Sequence, residues 1–422
     1  MSVITAADVE KARGVLVAAP HDVITPLARD RAKELGIRIE RGGGARLSPL
    51  SPPPPATAVS GLPQSRATGG ARSGSAPLAP PRSGALYRRG GYGLNGRRDD
   101  ARERNVARAS NSVRRPTIAI VGAGHVGAAA GIRLAESDLF EKVKLIDVVD
   151  GLAAGLALDM WHSAALRGFT TRVSGSADIA DVAGADIVVI TAGLARKPNM
   201  TRTDLTAANA EIVRGIARTI RERAPQAVVV VVTNPVEEMT HLTTLVTGFP
   251  PKRVIGMGGV LDTARFRALV GLSGVARPED VRAIVIGSHG PEMVIPLSQA
   301  TANGRPLEEL LGGPELANIV ARTRESGAEV TGLLKIGSAY VSPGSAIARQ
   351  VEAIVRGSDD PVPACVASAG AYGIADVRVG LPVRLGRDGV RDIVEVPLRP
   401  EELRALRASA DAIRERTRAL AP

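Results

Sequence analysis

Residues 116–127 read PTIAIVGAGHVG, and the fold follows from how this stretch is parsed. Thr117 to Val121 is a short apolar run rich in β-branched residues, the signature of a buried strand. Gly122, Gly124 and Gly127 follow at GxGxxG spacing, and an Ala-rich helical segment opens at Ala128. The first glycine suits a tight turn, the second a close backbone approach to a pyrophosphate, and the third lets the helix pack on the strand. A lone GxGxxG is weak, but here a second strand, Val143 to Ile146, ends in Asp147, 20 residues past Gly127. An acid there accepts hydrogen bonds from an adenosine ribose. Its charge repels a 2′-phosphate, so NAD is expected rather than NADP; Val148 and Val149 offer no compensating cation.

Outward from this stretch, strands and helices alternate. A helix is expected around Gly151 to Ala165, an apolar strand at Ala185 to Ile190, and a long helix from Asp204 to Arg223 with Ile212, Ile216 and Ile220 on one face. Ala227 to Val232 is another buried strand, ending in Thr233-Asn234-Pro235, and Val254 and Ile255 sit in a further short one. The pattern is that of an α/β chain with a doubly wound parallel sheet. Past Leu261 it changes. A helix is expected over Asp262 to Leu272, a strand over Val281 to Ile286, and helices over Glu315 to Glu325 and Gly327 to Arg356. Antiparallel strands follow between Val377 and Pro397, then an amphipathic helix from Glu401 to Leu420.

The 422 residues leave room for two or three domains, and an aromatic content of 2% requires an aliphatic core. The single cysteine, Cys365, excludes an internal disulfide and a multi-cysteine metal site. No apolar run approaches a membrane span, and the first residues lack the apolar core of a secretory signal. The net charge of +11 hints at nucleic acid, but its location weakens the hint. Residues 51–115 hold 12 arginines against 3 acids, so the remainder of the chain is nearly neutral.

Residues 44–115 are low in complexity, with polyproline at Pro52 to Pro55 and Ser, Gly, Ala and Arg elsewhere, and read as a disordered linker. The stretch LYRRGGYG leaves non-specific RNA binding as an alternative to a solvated tether. Residues 1–43 read as a small separate unit. A helix is expected over Val3 to Arg13, a strand over Gly14 to Ala18, a second helix capped by Thr25 with Pro26 in its first turn, and a strand over Ile37 to Glu40. Its stretch VITPLARDRAKELGI resembles short N-terminal segments of proteins associated with bacterial microcompartments, which implies docking or targeting. A dimerisation arm or an incidental extension is the alternative.

The motifs GAGHVG, TAGLARKPNMTR, VVTNP, VIGMGGVLDTARFR and GSHG together resemble the lactate/malate dehydrogenase family over residues 116–422, in the wording of its bacterial malate dehydrogenases built on the lactate-dehydrogenase pattern. The resemblance implies a Rossmann NAD-binding domain at 116–260, an α+β catalytic domain at 261–422, NAD as cofactor and a homo-oligomer, dimer or tetramer. It implies that His289 exchanges the substrate proton, a role imidazole suits, and that Asp262 pairs with it. Arg265 then forks onto the C1 carboxylate, Arg202 closes over the carbonyl, and Asn234 bonds substrate and cofactor. Asn209 and the backbone of Val232 are implied cofactor contacts, beside Gly122, Gly124, Gly127 and Asp147. Arg196 stands where the family's malate enzymes carry arginine and its lactate enzymes commonly glutamine, so malate and oxaloacetate are the expected substrates. Lys197 is a second cation beside it.

Ser288, Pro291 and His125 depart from the family's usual residues. The first two bear on the environment of the histidine; His125 either touches phosphate or is tolerated. Metal is not expected. The alternatives are another 2-hydroxy-acid dehydrogenase on the same fold and an adaptor with a vestigial core.

Overall fold

The computed structural model describes residues 3–4, 6–12, 14–19, 23–24, 31–41, 114–194, 201–335, 337–418 and 420. They fall into two compact units, divided between Leu94 and Asn95.

In the N-terminal unit, Val3–Ile4 runs parallel to Val23–Ile24, and Val15–Ala18 parallel to Arg38–Arg41. Val9, Ala18 and Ala32 form its small core with Leu16, Ile37 and Ile39 packed against them. The helix expected over Val3 to Arg13 covers only Ala6–Lys11, because Val3 and Ile4 pair as a strand. Thr25 and Pro26 lie outside the described residues, as does the linker up to 113.

The larger unit is built on an 11-stranded sheet. Its first half comprises β1 (Thr117–Val121), α1 (His125–Glu136), β2 (Lys142–Ile146), α2 (Leu152–His162), β3 (Arg172–Ser176), β4 (Ile187–Ile190), α3 (Arg202–Arg223), β5 (Val228–Val231), α4 (Val236–Thr247) and β6 (Val254–Gly256). The strands run parallel in the order β3-β2-β1-β4-β5-β6. This is the dinucleotide-binding order, with its reversal between β1 and β4. All four residues of β4 (IVVI) and of β5 (VVVV) are buried, as strands covered on both faces must be. Alternate residues enter opposite cores: Ile118, Ile120, Val189 and Val230 one, Ala119, Val121, Val188 and Val229 the other.

The base of the sheet is clamped. The Arg114 guanidinium meets Asp186, whose other oxygen accepts from the Thr117 N–H at 2.8 Å. Arg115 donates to Asp138 Oδ1 at 2.9 Å and to Thr171 Oγ1 at 3.1 Å. Arg387 donates to the Arg114 carbonyl at 3.3 Å.

The second half continues the sheet in antiparallel fashion. It contains α5 (Gly259–Leu272), β7 (Ile286–Gly287), β8 (Met293–Val294), α6 (Gly313–Leu334), α7 (Val341–Arg356), β9 (Val362–Ala367), β10 (Arg378–Gly386), β11 (Gly389–Ile393) and α8 (Pro400–Thr417). Three expectations change here. The strand over Val281 to Ile286 is broken: Val281–Arg282 joins a separate three-stranded sheet, while β7 pairs with β8 and β10. Thr263 Oγ1 takes the Val285 N–H at 2.9 Å between the two pieces. The two long helices meet at residues 335–340, not at Ser326-Gly327. Ser326 bonds back to the Arg322 carbonyl and the helix runs on, whereas Lys335 and Gly337 both take positive φ. β9 went unread, although it joins the antiparallel part to β6 at Gly256 and Cys365.

Candidate active site

The cofactor end of the site is mostly main chain. Gly122 turns at φ 105°, and a Cβ there would stand 2.4 Å from the Ala192 nitrogen. A Cβ at Gly127 would stand 1.9 Å from the Gly122 carbonyl, whereas at Gly124 it would meet nothing within 4 Å. The first and third glycines thus permit the turn and the helix packing, and the second leaves its face open to the cleft, as a pyrophosphate requires. Asp147, at the end of β2, accepts from the Ala123 N–H at 2.7 Å and the Val149 N–H at 3.0 Å. Its carboxylate is therefore fixed beside the turn, and Val148 next to it is 91% exposed. These residues fit a nicotinamide dinucleotide with an unmodified ribose.

A cleft of about 620 Å³ runs from this turn to the second half of the unit. Gly122, Gly124, Gly127, Asn209, Val232, Asn234, Arg265 and His289 all line it. Asn209 does so indirectly. Its Oδ1 accepts from the Leu194 N–H at 2.7 Å and its amide donates to the Asn234 carbonyl at 2.7 Å, so it ties the loop after β4 to the loop after β5. The Val232 N–H is held by the Ile190 carbonyl at 2.9 Å. His125 opens α1, and its ring lies 5.1 Å from that of Tyr340.

At the far end stands His289. Its Nδ1 is 2.7 Å from Asp262 Oδ2, and Asp262 is 1% exposed. Because α5 starts at Gly259, Asp262 lies within the first turn instead of capping it. Gly258 makes room for the imidazole, since a Cβ there would stand 2.9 Å from the His289 Cβ. Asp262 Oδ1 lies 3.3 Å from Arg265 Nη1, one turn along the same helix face. Gly327, in mid-helix on α6, faces the Arg265 guanidinium: its Cβ would come within 3.7 Å of Nη2. Burial works against the imidazolium, but the charge and hydrogen bond of Asp262, joined by Glu237, outweigh it and raise the His289 pKa above its usual value of 6.5.

Arg196 and Lys197 lie outside the described residues. Arg202 is described only in its backbone, as the first residue of α3. The cap is clear: Thr201 Oγ1 accepts from the Asp204 N–H at 3.1 Å, and Asp204 returns the bond to the Thr201 N–H at 3.0 Å. Arg267, read as a surface residue, donates to the Pro278 and Glu279 carbonyls.

Residues 117–256 match the lactate/malate dehydrogenase NAD-binding domain, and residues 259–420 the alpha/beta C-terminal domain of the same enzymes. The chain belongs to the lactate/malate dehydrogenase family. It is an NAD-dependent oxidoreductase. It is 43% identical over 298 residues to the malate dehydrogenase of Chloroherpeton thalassium, covering 71% of this chain and 96% of that one. It is likewise 43% identical to the malate dehydrogenase of Synechocystis, covering 70% and 91%. Among solved structures, the Cryptosporidium parvum malate dehydrogenase superposes with a TM-score of 0.70 at 34% identity, over 72% of this chain and 98% of the other. The lactate dehydrogenase of C. parvum, solved with lactic acid and NAD, gives the same TM-score at 33% identity, over 74% and 100%. Fold similarity therefore does not choose between the two substrates.

Sequence reasoning missed a set of charged residues behind His289. Glu237 is 2% exposed, and its Oε1 accepts from the His289 main-chain N–H at 2.6 Å. Beside it Glu238 pairs with Arg416 at 2.9 Å, and Arg416 donates to Ser288 Oγ at 3.2 Å. Ser288, noted only as a departure, is buried, with its N–H held by Ser409 Oγ at 2.9 Å. Two adjacent glutamates one residue after TNP, in the first turn of a helix whose other residues carry no acid, were the available signal. Cys365 is buried and its thiol is held well above the usual range by burial, so it is no nucleophile. Among the described residues no cluster of His, Cys, Asp or Glu can hold a metal, and no helix is long and apolar enough to cross a membrane.

Proposed function

We propose that this chain catalyses the reversible oxidation of malate to oxaloacetate. The observation that carries the reading is a His289–Asp262 pair with Arg265 beside it, at the opposite end of one cleft from an NAD-shaped glycine turn. Bound along that turn, NAD supplies the hydride acceptor. His289 takes the hydroxyl proton on Nε2, because its Nδ1 is engaged by Asp262. Asp262 fixes the tautomer and stabilises the imidazolium. Arg265 holds the C1 carboxylate in a bidentate fork. Arg202, at the start of α3, closes over the carbonyl and polarises it, and Asn234 orients substrate and nicotinamide. Arg196 receives the second carboxylate, which sets a dicarboxylate apart from pyruvate. Following NADH oxidation by the purified chain with oxaloacetate and with pyruvate tests this. Oxaloacetate should be strongly preferred, and a preference for pyruvate would overturn the assignment.

Further along the chain, residues 116–260 serve as the NAD-binding domain and 261–422 as the catalytic domain. The active form is a homo-oligomer, dimer or tetramer. In support, α2 exposes Leu158 and Trp161, and an apolar groove of about 790 Å³ lined by Val260, Ala264, Ile284, Val330 and Val341 offers a face for a second copy. Residues 1–43 dock the enzyme to a microcompartment shell or its cargo in the cytoplasm, with 44–115 as tether. The support is the small separate core of Val9, Ala18 and Ala32 and the Pro/Gly/Ser/Arg composition that follows it.

A further inference from the structure

The charges around His289 balance in only one of its protonation states. Asp262 is shared between the imidazole at 2.7 Å and Arg265 at 3.3 Å, so an arginine already offsets its charge. On α4, Glu238 is paired with Arg416 of α8, which also reaches Glu292 at 3.4 Å. Cys365 on β9 stays a neutral thiol. Arg378 on β10 donates to the Val254 and Pro251 carbonyls. That leaves Glu237. It is buried, it reaches the His289 loop, and among the described residues no lysine or arginine stands within salt-bridge distance of it. Burial raises its carboxyl pKa, and the His289 charge and N–H offset only part of that rise.

Position adds to this. Glu237 sits three residues after Asn234, which lines the cleft, and it grips the main chain of His289, which ends the cleft. One side chain thus spans from the loop that carries Asn234 to the loop that carries the proton-exchanging imidazole. Two consecutive N–H groups of that second loop are held by side chains, Ser288 by Ser409 and His289 by Glu237.

We infer that Glu237 is a positioning residue for proton transfer: its carboxylate anchors the His289 main chain and is a second counter-charge to the imidazolium beside Asp262, whose own charge Arg265 partly offsets. The inference rests on the reading of His289 as the proton-exchanging group. The proton still moves between substrate and Nε2; Glu237 changes only how readily His289 keeps it.

Glu237→Gln keeps an oxygen acceptor at the same reach and removes the charge. Two readouts follow. Labelled with 13C-histidine, the full chain has five histidines to resolve, and His289 should titrate at lower pH in the variant, with the histidines outside α4 as internal references. In kinetics, the alkaline limb of oxaloacetate reduction and the acid limb of malate oxidation should both move to lower pH. Reduction on the alkaline side should then fall severalfold while oxidation on the acid side rises. A scaffolding role alone would lower both rates at every pH and leave the limbs and the His289 midpoint unmoved, and that result overturns the inference. If Glu237→Gln does not fold, Glu237→Asp draws the carboxylate back by one methylene. It should lower the His289 midpoint in the same direction by less, and an unmoved midpoint again overturns the inference. An inactive wild-type enzyme would sink the functional reading instead, while the NMR titration would still decide the role of Glu237.

Discussion

At the Gly122–Gly127 end of the cleft the chain presents mostly backbone, whereas at the His289 end it buries charged side chains in one connected group. The cofactor end works by absence: no Cβ at Gly122 or Gly127, where one would collide, and none at Gly124, where a phosphate must come close. The substrate end works by charge held out of water, where each group needs a partner. The first should be sensitive to volume and indifferent to charge. The second should respond in the opposite way.

The strongest test of that contrast is Asp262→Asn, which keeps the volume and removes the charge. It should cut kcat by about a thousandfold or more while sparing NADH binding, because the imidazole loses its tautomer and its counter-charge. An effect below tenfold would mean that charge does not govern this end. Next comes Arg196→Gln. Oxaloacetate would bury a carboxylate without a partner, and pyruvate would no longer strand a cation. The loss of a buried ion pair, about 3–5 kcal/mol, predicts a shift in the kcat/KM ratio of roughly a hundredfold or more toward pyruvate. Lys197 would shrink it by standing in. Arg265→Gln should depress both substrates alike, since both carry the C1 carboxylate.

At the other end, Gly127→Ala adds one uncharged methyl 1.9 Å from the Gly122 carbonyl. It should weaken NADH binding in fluorescence titration by about tenfold or more and lower Tm. Neutral behaviour would break the comparison. Asp147→Ser is the exception that sharpens it, the one charge at the cofactor end. The variant should gain about tenfold in kcat/KM with NADPH relative to NADH. Smallest of all, a chain starting at Val113 should keep full activity with oxaloacetate and lose its localisation. Loss of folding or unchanged localisation would count against a docking role for residues 1–43.

The contrast also explains what was legible in the sequence. The first half of the larger unit announces itself through local rules: apolar runs such as IVVI and VVVV, glycines at fixed spacing, an acid at the next strand end. Each element's identity sits in its own residues. In the second half the elements depend on distant partners. Val281 to Ile286 reads as one strand, yet Thr263 on α5 takes the Val285 N–H and its two ends enter different sheets. Gly327 looks like a helix break, yet the helix runs through it and it faces the Arg265 guanidinium. Glu237 looks like an ordinary first-turn acid, and its role depends on a histidine 52 residues away. His289, Asp262 and Arg265 are legible through family wording, and the carboxylate that His289 and Arg265 share only in the folded structure.

The clamp at the base of the sheet carries a mechanical consequence. Arg114, Arg115 and Thr117 are fastened to Asp186 and Asp138 where the preceding chain enters β1, and the cleft opens past the other end of that strand at Gly122. A pull arriving through residue 114 would run along β1, whose ladders with β2 and β4 lie parallel to it and would share the load in shear. The force would be spread over the centre of the sheet before it reached the glycine turn.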